Sequence, residues 1–455
     1  MIPLSLAAIT AAVNGQLIGA DSSITSVSTD SRNIAEHCLF VALKGERFDG
    51  HDFVAKAVEL GAQALLVERP MPFDIAQIVV TDSQQAMAQI GVLVKQAVAP
   101  ICVALTGSNG KTSVKEMVAT ILSAHHQVLY TAGNFNNDIG VPLTMLRLQQ
   151  GDQYGVFELG ANHLGEIDYT SNLVQPKVAL VNNVAGAHLE GFGSLEGVAK
   201  AKSEIFNHLA TDGVAIINAD DAFADVMRTA AGTRKIIQFS ATKVSDIYAT
   251  GLCADSIGRY QFTLHYGQQQ RQVKLPLTGR HQVSNALAST AMCIALNIDL
   301  NEIVYGLTQL KPVKGRMMPV DLGRILVVDD SYNANPASVT AAINWLHEIS
   351  TNRILVLGDL GELGDNAPLL HQQLGELAQQ QAIDALFCVG QLSRQTALGY
   401  GSGHFDDIAQ LNQMLIAHLN QLSGPVTVLV KGSRSAAMER VVDALTAAYG
   451  RGELV

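Results

Sequence analysis

No two of the five cysteines in this chain stand at redox or zinc spacing. Cys38, Cys102, Cys253, Cys293 and Cys388 are scattered and odd in number, which excludes a disulfide framework and a zinc site as organising features. They read as buried packing residues of a reduced, cytoplasmic protein. Basic charge is also short: 30 Lys and Arg face 41 Asp and Glu, a net charge of −11. That balance argues against nucleic acid or an anionic membrane as partner, so an anionic ligand must be held by a local cluster. No apolar run is long enough to span a bilayer, and no membrane insertion is expected. The opening MIPLSLAAITAAVNG is apolar, but no Lys or Arg precedes Arg32, so the basic region of a secretory leader is missing. This segment reads as an amphipathic helix from Pro3. Internal repeats and low-complexity tracts are absent as well.

What is present is enough for several cores. A chain of 455 residues exceeds one ordinary core, and its length suggests about three domains. The expected fold class is α/β in three domains. Residues 1–84 would form a small N-terminal α/β domain, 85–314 a central ATPase-type parallel sheet, and 315–455 a C-terminal Rossmann-like domain. Strands are expected at 101–105, 154–159, 178–182 and 213–217, alternating with helices as in a parallel sheet. Runs at 236–239, 260–265 and 272–275 suggest an antiparallel patch, and 311–316 a hinge. A second alternation then starts at 325–330, with a last helix through Met438.

The most informative stretch is Thr106-Gly107-Ser108-Asn109-Gly110-Lys111-Thr112, between the apolar run 101–105 and a helical segment. Backbone N–H groups and the positive helix end converge on an anion in such a turn. Lys111 would neutralise β- and γ-phosphates and the Thr112 hydroxyl would hold Mg²⁺. The general pattern wants a further glycine where Leu105 stands, so the loop is a shortened variant, and a plain glycine turn is the competing reading.

A phosphate loop implies a hard-oxygen metal ligand beside Thr112. Glu158, closing an apolar strand, is one candidate; Asp329 or Asp330, ending Val327-Val328, is a rival in the manner of a Walker B strand. Alone, His188 reads as an ordinary polar residue and Lys202 as a solvated lysine. The clusters around Ser31 and Arg32, and from Phe48 to His51, read as turns that could also bind a polar ligand. The run LGDLGELG from Leu357 lacks the dinucleotide glycine spacing.

Taken together, TGSNGKT, NFNNDIGVP, ELGAN, NNVAGAHLEGFGS, AKSEIF, GRHQVSNALAS, KGR, DDSYNANP and LVKGSRS, in this order, resemble the Mur ligases over nearly the whole chain. The short loop is that family's own variant. The resemblance implies an ATP-dependent amide ligase working through an acyl phosphate. NNDIGVPLT, ELGAN and DDSYNANPAS are most similar to the members that join D-alanyl-D-alanine to UDP-N-acetylmuramoyl-tripeptide. It implies ATP bound by Gly107, Ser108, Asn109, Gly110, Lys111 and Thr112, adenine read by Asn285, and ribose or γ-phosphate met by Asp330 and Arg316. Thr112, Glu158, His188 and a carbamylated Lys202 would hold two Mg²⁺ ions, with Lys111, His188, Lys202 and Arg316 serving catalysis. Ser31, Arg32, Phe48 and His51 would face the uridine diphosphate end of the substrate, and Asn137 and Asn162 would also bind substrate. Lys431 and Ser433, with Arg434 beside them, would lie toward the D-alanyl-D-alanine pocket. A monomer is expected. Another member adding a single amino acid, a folylpolyglutamate-synthase-like enzyme and a phosphate-loop switch are the alternatives.

Overall fold

The computed structural model describes residues 1–45, 48–186 and 189–450. Its three large sheets each have a largely parallel core. The first runs in the order Gln16–Ile18, Ala76–Val79, Ala64–Val67, Cys38–Val41, Ser26–Ser28, antiparallel only at its first pair. The helix Ser83–Val98 leaves it for the second sheet. Asp82 caps that helix by accepting from Gln85 N–H at 2.9 Å. At its far end Lys95 Nζ donates to the Leu173 and Val174 carbonyls at 2.7 and 3.1 Å, satisfying the exposed end of the helix Glu166–Val174.

The central sheet has nine strands, and its parallel middle explains the apolar runs. Ile101–Thr106 lies between Tyr154–Glu158 and Val178–Val181, covered on both faces. The parallel register sets Glu158 beside Leu105 and Val181 beside Thr106. Both neighbouring strands therefore end level with the glycine loop, at the carboxyl edge where α/β sheets bind ligands. The expected antiparallel patch holds for Arg259–Tyr266 and Gln269–Thr278, joined by Ile247–Ala254. Lys235–Ser240 departs from it: the helix Ala224–Ala231 carries the chain back across the sheet, so this strand pairs parallel with Val214–Asn218.

The third sheet runs Met318–Asp321, Ile325–Asp330, Val426–Lys431, Asn352–Gly358, Ala385–Val389, His404–Phe405, antiparallel only at its first pair. Asp330 and Lys431 are register partners at its carboxyl edge. Three expectations shift locally. The first helix begins at Leu6, not Pro3, because Leu4–Ser5 pairs with Ser23–Ile24 and Ser5 Oγ caps the helix from Ala8 N–H at 3.1 Å. The last helix starts at Glu439, with Met438 as its cap. Cys253 is exposed near the end of the strand Ile247–Ala254, whereas the other four cysteines are buried. Among the described residues no helix is long and apolar enough to cross a membrane.

The second and third sheets are joined by a latch remote from the glycine loop. Tyr260 Oη donates to Glu348 Oε2 at 2.6 Å across the boundary. Beside it the single tryptophan, Trp345, packs its indole edge on Gly258, a left-handed glycine at φ 74° where any Cβ would collide with the ring nitrogen. Gly258→Ala should therefore wedge the two domains apart and expose the Trp345 ring, while Tyr260→Phe removes about 1 kcal/mol from the docked state. A red-shifted tryptophan emission in Gly258→Ala, with the circular dichroism of the folded chain retained, is the expected result; unchanged emission would refute the latch.

Candidate active site

The glycine loop follows Ile101–Thr106 directly, and the helix Lys111–Ser123 begins at Lys111. Gly110 takes φ 79°, and a side chain there would strike the amides of Asn285 and Asn182. Neighbouring asparagines shape the loop. Ser108 N–H donates to the Asn183 carbonyl and Asn109 N–H to Asn183 Oδ1, at 2.9 and 2.8 Å. Asn182 and Asn183 both donate their amides to the Asn109 carbonyl, at 2.9 and 3.0 Å. Ser108 Oγ closes the set on the Ala185 carbonyl at 2.9 Å. Lys111 Nζ folds back onto the Gly107 carbonyl at 2.8 Å, across the space a phosphate would fill. Desolvation lowers its pKa, with Glu158 opposing and Arg316 adding to the effect.

Glu158 is 2% exposed, and its carboxylate is oriented from both sides. Oε2 accepts from Thr112 Oγ1 at 3.1 Å and Oε1 from Asn136 Nδ2 at 2.9 Å. A hydroxyl and a carboxylate side by side form a hard-oxygen pair suited to Mg²⁺, which completes its shell with water and phosphate oxygens. Among the described residues no three His, Cys, Asp or Glu side chains converge, so any further ligand must come from elsewhere. His188, named for that role, lies outside the described residues. Lys202 is 2% exposed in the same cleft. Desolvation, and then the charge of Lys111, hold its pKa well below the ordinary lysine value. Lowering the pKa in this way favours the neutral, nucleophilic form of the amine over the cation.

The rival aspartates do other work. Asp329 accepts from Gly315 N–H at 3.1 Å and from Ser331 N–H at 3.1 Å, fixing the hinge. Asp330 accepts from Lys431 Nζ at 2.7 Å and from Met317 N–H at 3.2 Å. Thr112 thus has Glu158, not a Walker B aspartate, as its carboxylate neighbour.

The third sheet supplies the far wall of a cleft of about 860 Å³. Arg316 reaches Thr112 Oγ1 at 3.3 Å, its guanidinium stacked 4.2 Å from the Tyr332 ring centre. Asn335 Nδ2 donates to Asn109 Oδ1 at 2.7 Å. Asn137, Asn162, Asn285, Asp330, Lys431 and Ser433 also line the cleft. Asn285 lies beneath the loop, accepting from Asn182 Nδ2 at 3.1 Å and donating to Gln282 Oε1 at 2.9 Å.

The N-terminal candidates do not line this cleft. Ser31 is buried, Arg32 is exposed and forks onto Asp30, and Phe48 is 70% exposed. His51 has both ring nitrogens engaged within its own domain: Nδ1 lies 2.6 Å from Asp49 Oδ1, and Nε2 accepts from Glu68 N–H at 2.9 Å. It therefore shapes its loop and presents no ring nitrogen outward. Sequence reasoning missed Asn136, Asn182, Asn183, Tyr332 and Asn335. All five lie inside motifs that it did single out, and their value comes from neighbours distant in the chain.

Three family models match successive parts of the chain: the Mur ligase family catalytic domain at residues 23–100, the Mur ligase middle domain at 105–293, and the Mur ligase glutamate ligase domain at 315–434. The UDP-N-acetylmuramoyl-tripeptide–D-alanyl-D-alanine ligase of Escherichia coli is 49% identical over 449 residues, covering 98% of this chain and 99% of that protein. Among solved structures, MurF from Acinetobacter baumannii superposes with a TM-score of 0.94 at 39% identity, covering 98% of this chain and 99% of that one. The MurF ligase of Thermotoga maritima in complex with ADP gives 0.84 at 27% identity, covering 94% and 98%. On these grounds, and with three α/β domains in the same order, the chain belongs to the Mur ligase family.

Proposed function

We propose that this chain is an ATP-dependent amide ligase that joins D-alanyl-D-alanine to the terminal carboxylate of UDP-N-acetylmuramoyl-tripeptide, in cytoplasmic peptidoglycan precursor synthesis. The observation that carries this reading is the 49% identity, over essentially full length, to a protein of that name. A cleft with a phosphate loop on one wall and basic and hydroxyl groups on the other supports it. One chain supplies both walls, in keeping with a monomer. We take the domains as 1–84, 85–314 and 315–455, with the turn at Gly315, tied to Asp329, as the second junction.

In this mechanism the tripeptide carboxylate attacks the γ-phosphorus of ATP, giving an acyl phosphate and ADP. The dipeptide amine then attacks the acyl carbon and phosphate leaves. A carboxylate is a poor electrophile, and phosphorylation supplies its leaving group. Lys111 would release the Gly107 carbonyl to take up a phosphate oxygen. Arg316, already at Thr112, would bear on the transferred group from the opposite wall, so charge is balanced by groups in place before reaction. Asn285, under the loop, would serve the adenine end, and Asp330 the ribose. Ser31, Arg32, Phe48 and His51 would serve the uridine diphosphate end, with His51 acting through the shape of its loop. Asn137 and Asn162 would meet the reacting end, and Lys431 and Ser433 the acceptor side. The bridges Asn335 to Asn109 and Arg316 to Thr112 hold the walls together, which would exclude water from an acyl phosphate prone to hydrolysis.

Thr112 and Glu158 would hold Mg²⁺, with His188 and a modified Lys202 completing two sites; the bound metal would neutralise phosphate charge. The Lys202 amine can add to CO₂, losing a proton and becoming a carbamate. That exchange turns a poorly solvated base into an anion offering two oxygens, and it relieves the repulsion from Lys111.

Phosphate release should depend jointly on UDP-N-acetylmuramoyl-tripeptide and D-alanyl-D-alanine. Vigorous ATP hydrolysis with neither present would instead support a phosphate-loop switch, and turnover with a single amino acid another family member. Lys202→Ala should lower kcat by about a hundredfold or more, the scale of losing one charge-stabilising group. Small carboxylates should restore part of the rate, and a fully active variant would exclude the carbamate.

A further inference from the structure

The shape of the phosphate loop is imposed from outside it. In a glycine-rich loop successive backbone N–H groups converge on an anion. Here two of them are spent within the protein: Ser108 N–H donates to the Asn183 carbonyl and Asn109 N–H to Asn183 Oδ1, at 2.9 and 2.8 Å. The phosphates are left to the N–H groups at the start of the helix Lys111–Ser123, which have no acceptor within the helix. Their aim is set by the turn that precedes them, and segment 182–185 grips that turn along its length. Asn182 Nδ2 and Asn183 Nδ2 both donate to the Asn109 carbonyl. Ser108 Oγ donates to the Ala185 carbonyl and accepts from Ala185 N–H, each at 2.9 Å, and Gly110 lies against the Asn182 amide. A shift of this segment therefore moves the loop with it.

The segment is held in turn from its other side, by the run Asn218-Ala219-Asp220-Asp221 at the end of the next strand. Val214–Asn218 pairs with Val178–Val181 in parallel register, Ile217 beside Val181, so Asn218 comes level with Asn182. Asn218 Nδ2 donates to the Asn182 carbonyl at 3.0 Å, and Asp221 Oδ2 accepts from Val184 N–H at 2.7 Å. Asp221 is itself fixed. Its Oδ1 accepts from Phe223 N–H at 2.8 Å and its carbonyl from Ala224 N–H at 3.1 Å, where the helix Ala224–Ala231 begins. Desolvation raises the Asp221 pKa, and the N–H groups of Val184 and Phe223 oppose that rise. One half-buried carboxylate thus joins two backbone segments by charge-assisted hydrogen bonds. Asp220, its neighbour in the chain, serves another turn. It is exposed, and its Oδ1 accepts from Ser240 Oγ and Thr242 Oγ1, both at 2.6 Å, while its Oδ2 accepts from Ala241 N–H at 2.7 Å. Of the two adjacent aspartates, Asp221 faces the segment that grips the phosphate loop.

We propose that Asp221 is a positioning residue for the nucleotide: it fixes Val184, and through segment 182–185 it holds the phosphate loop so that the helix N–H groups meet the phosphates of ATP. This rests on the ATP-binding reading of the loop. Asp221 does not line the cleft, so its removal takes no direct contact from the nucleotide. It leaves Val184 N–H without its acceptor and frees the segment to move, and the loop loses the frame that aims it.

The test is ADP binding by titration calorimetry, with the full chain and its variants Asp221→Ala, Asp221→Asn and Asp220→Ala. Asp221→Ala should bind ADP about tenfold more weakly, the scale of one lost charge-assisted hydrogen bond. Its KM for ATP should rise in parallel while KM for D-alanyl-D-alanine holds steady. Asp221→Asn keeps one acceptor oxygen and should fall between the alanine variant and the wild type. Asp220→Ala loses three hydrogen bonds of its own, so it should lower the melting temperature yet keep the wild-type affinity for ADP. Wild-type ADP affinity in Asp221→Ala would overturn the assignment. An equal loss in Asp220→Ala would overturn it too, because the effect would then be general destabilisation. Should Asp221→Ala not fold, Asp221→Asn decides, and wild-type ADP affinity there refutes the assignment. A wild-type chain that does not bind ADP would instead overturn the ATP-binding reading itself.

Discussion

The active cleft depends on one electrostatic constraint: Lys111, Lys202 and Arg316 converge on a region whose central anion is the buried Glu158. Desolvation already holds both lysines below their ordinary pKa; the charge of Arg316 adds to the effect on Lys111, and the charge of Lys111 to the effect on Lys202. Such a cluster is costly in isolation and becomes favourable when anions enter. A triphosphate supplies them, and so would a carbamate on Lys202. The protein as a whole carries a net charge of −11, so this positive region is local and its field is concentrated where the phosphates belong.

The rest of the architecture serves that concentration. The parallel register of the central sheet brings the ends of three strands level, so Glu158 and Asn182 flank the glycine loop without any contact near them in sequence. The asparagines of the adjoining segment then take up the backbone groups that a sharp turn leaves exposed. Arg316 and Asn335 come from beyond the hinge, so completion of the site is coupled to docking of the third domain. The distant contact of Tyr260 with Glu348, and of Trp345 with Gly258, makes that docking a property of a second surface as well.

Much of this was legible in the chain before any geometry. The glycine loop, the strand closing at Glu158 and the motif order that resembles the Mur ligases are local patterns, and local patterns follow from backbone preference and from runs buried on both faces. Errors fell where topology decides. Lys235–Ser240 looks like its antiparallel neighbours, and only the crossing helix makes it parallel. Partners are equally hidden in the chain: the hydrogen bonds of His51 to Glu68 N–H and of Asp330 to Met317 N–H and Lys431 join residues far apart in sequence.

The sequence by itself determined the phosphate loop, the α/β alternation and the family, because each is written in residues adjacent along the chain. Tertiary structure alone decided which carboxylate stands beside Thr112, which asparagines brace the loop, and that Arg316 and Asn335 reach the loop's residues from beyond the hinge. Those facts depend on strand register, on domain docking and on contacts between residues dozens to hundreds of positions apart. Spacing along a chain cannot encode which of several similar polar groups is brought within hydrogen-bonding distance.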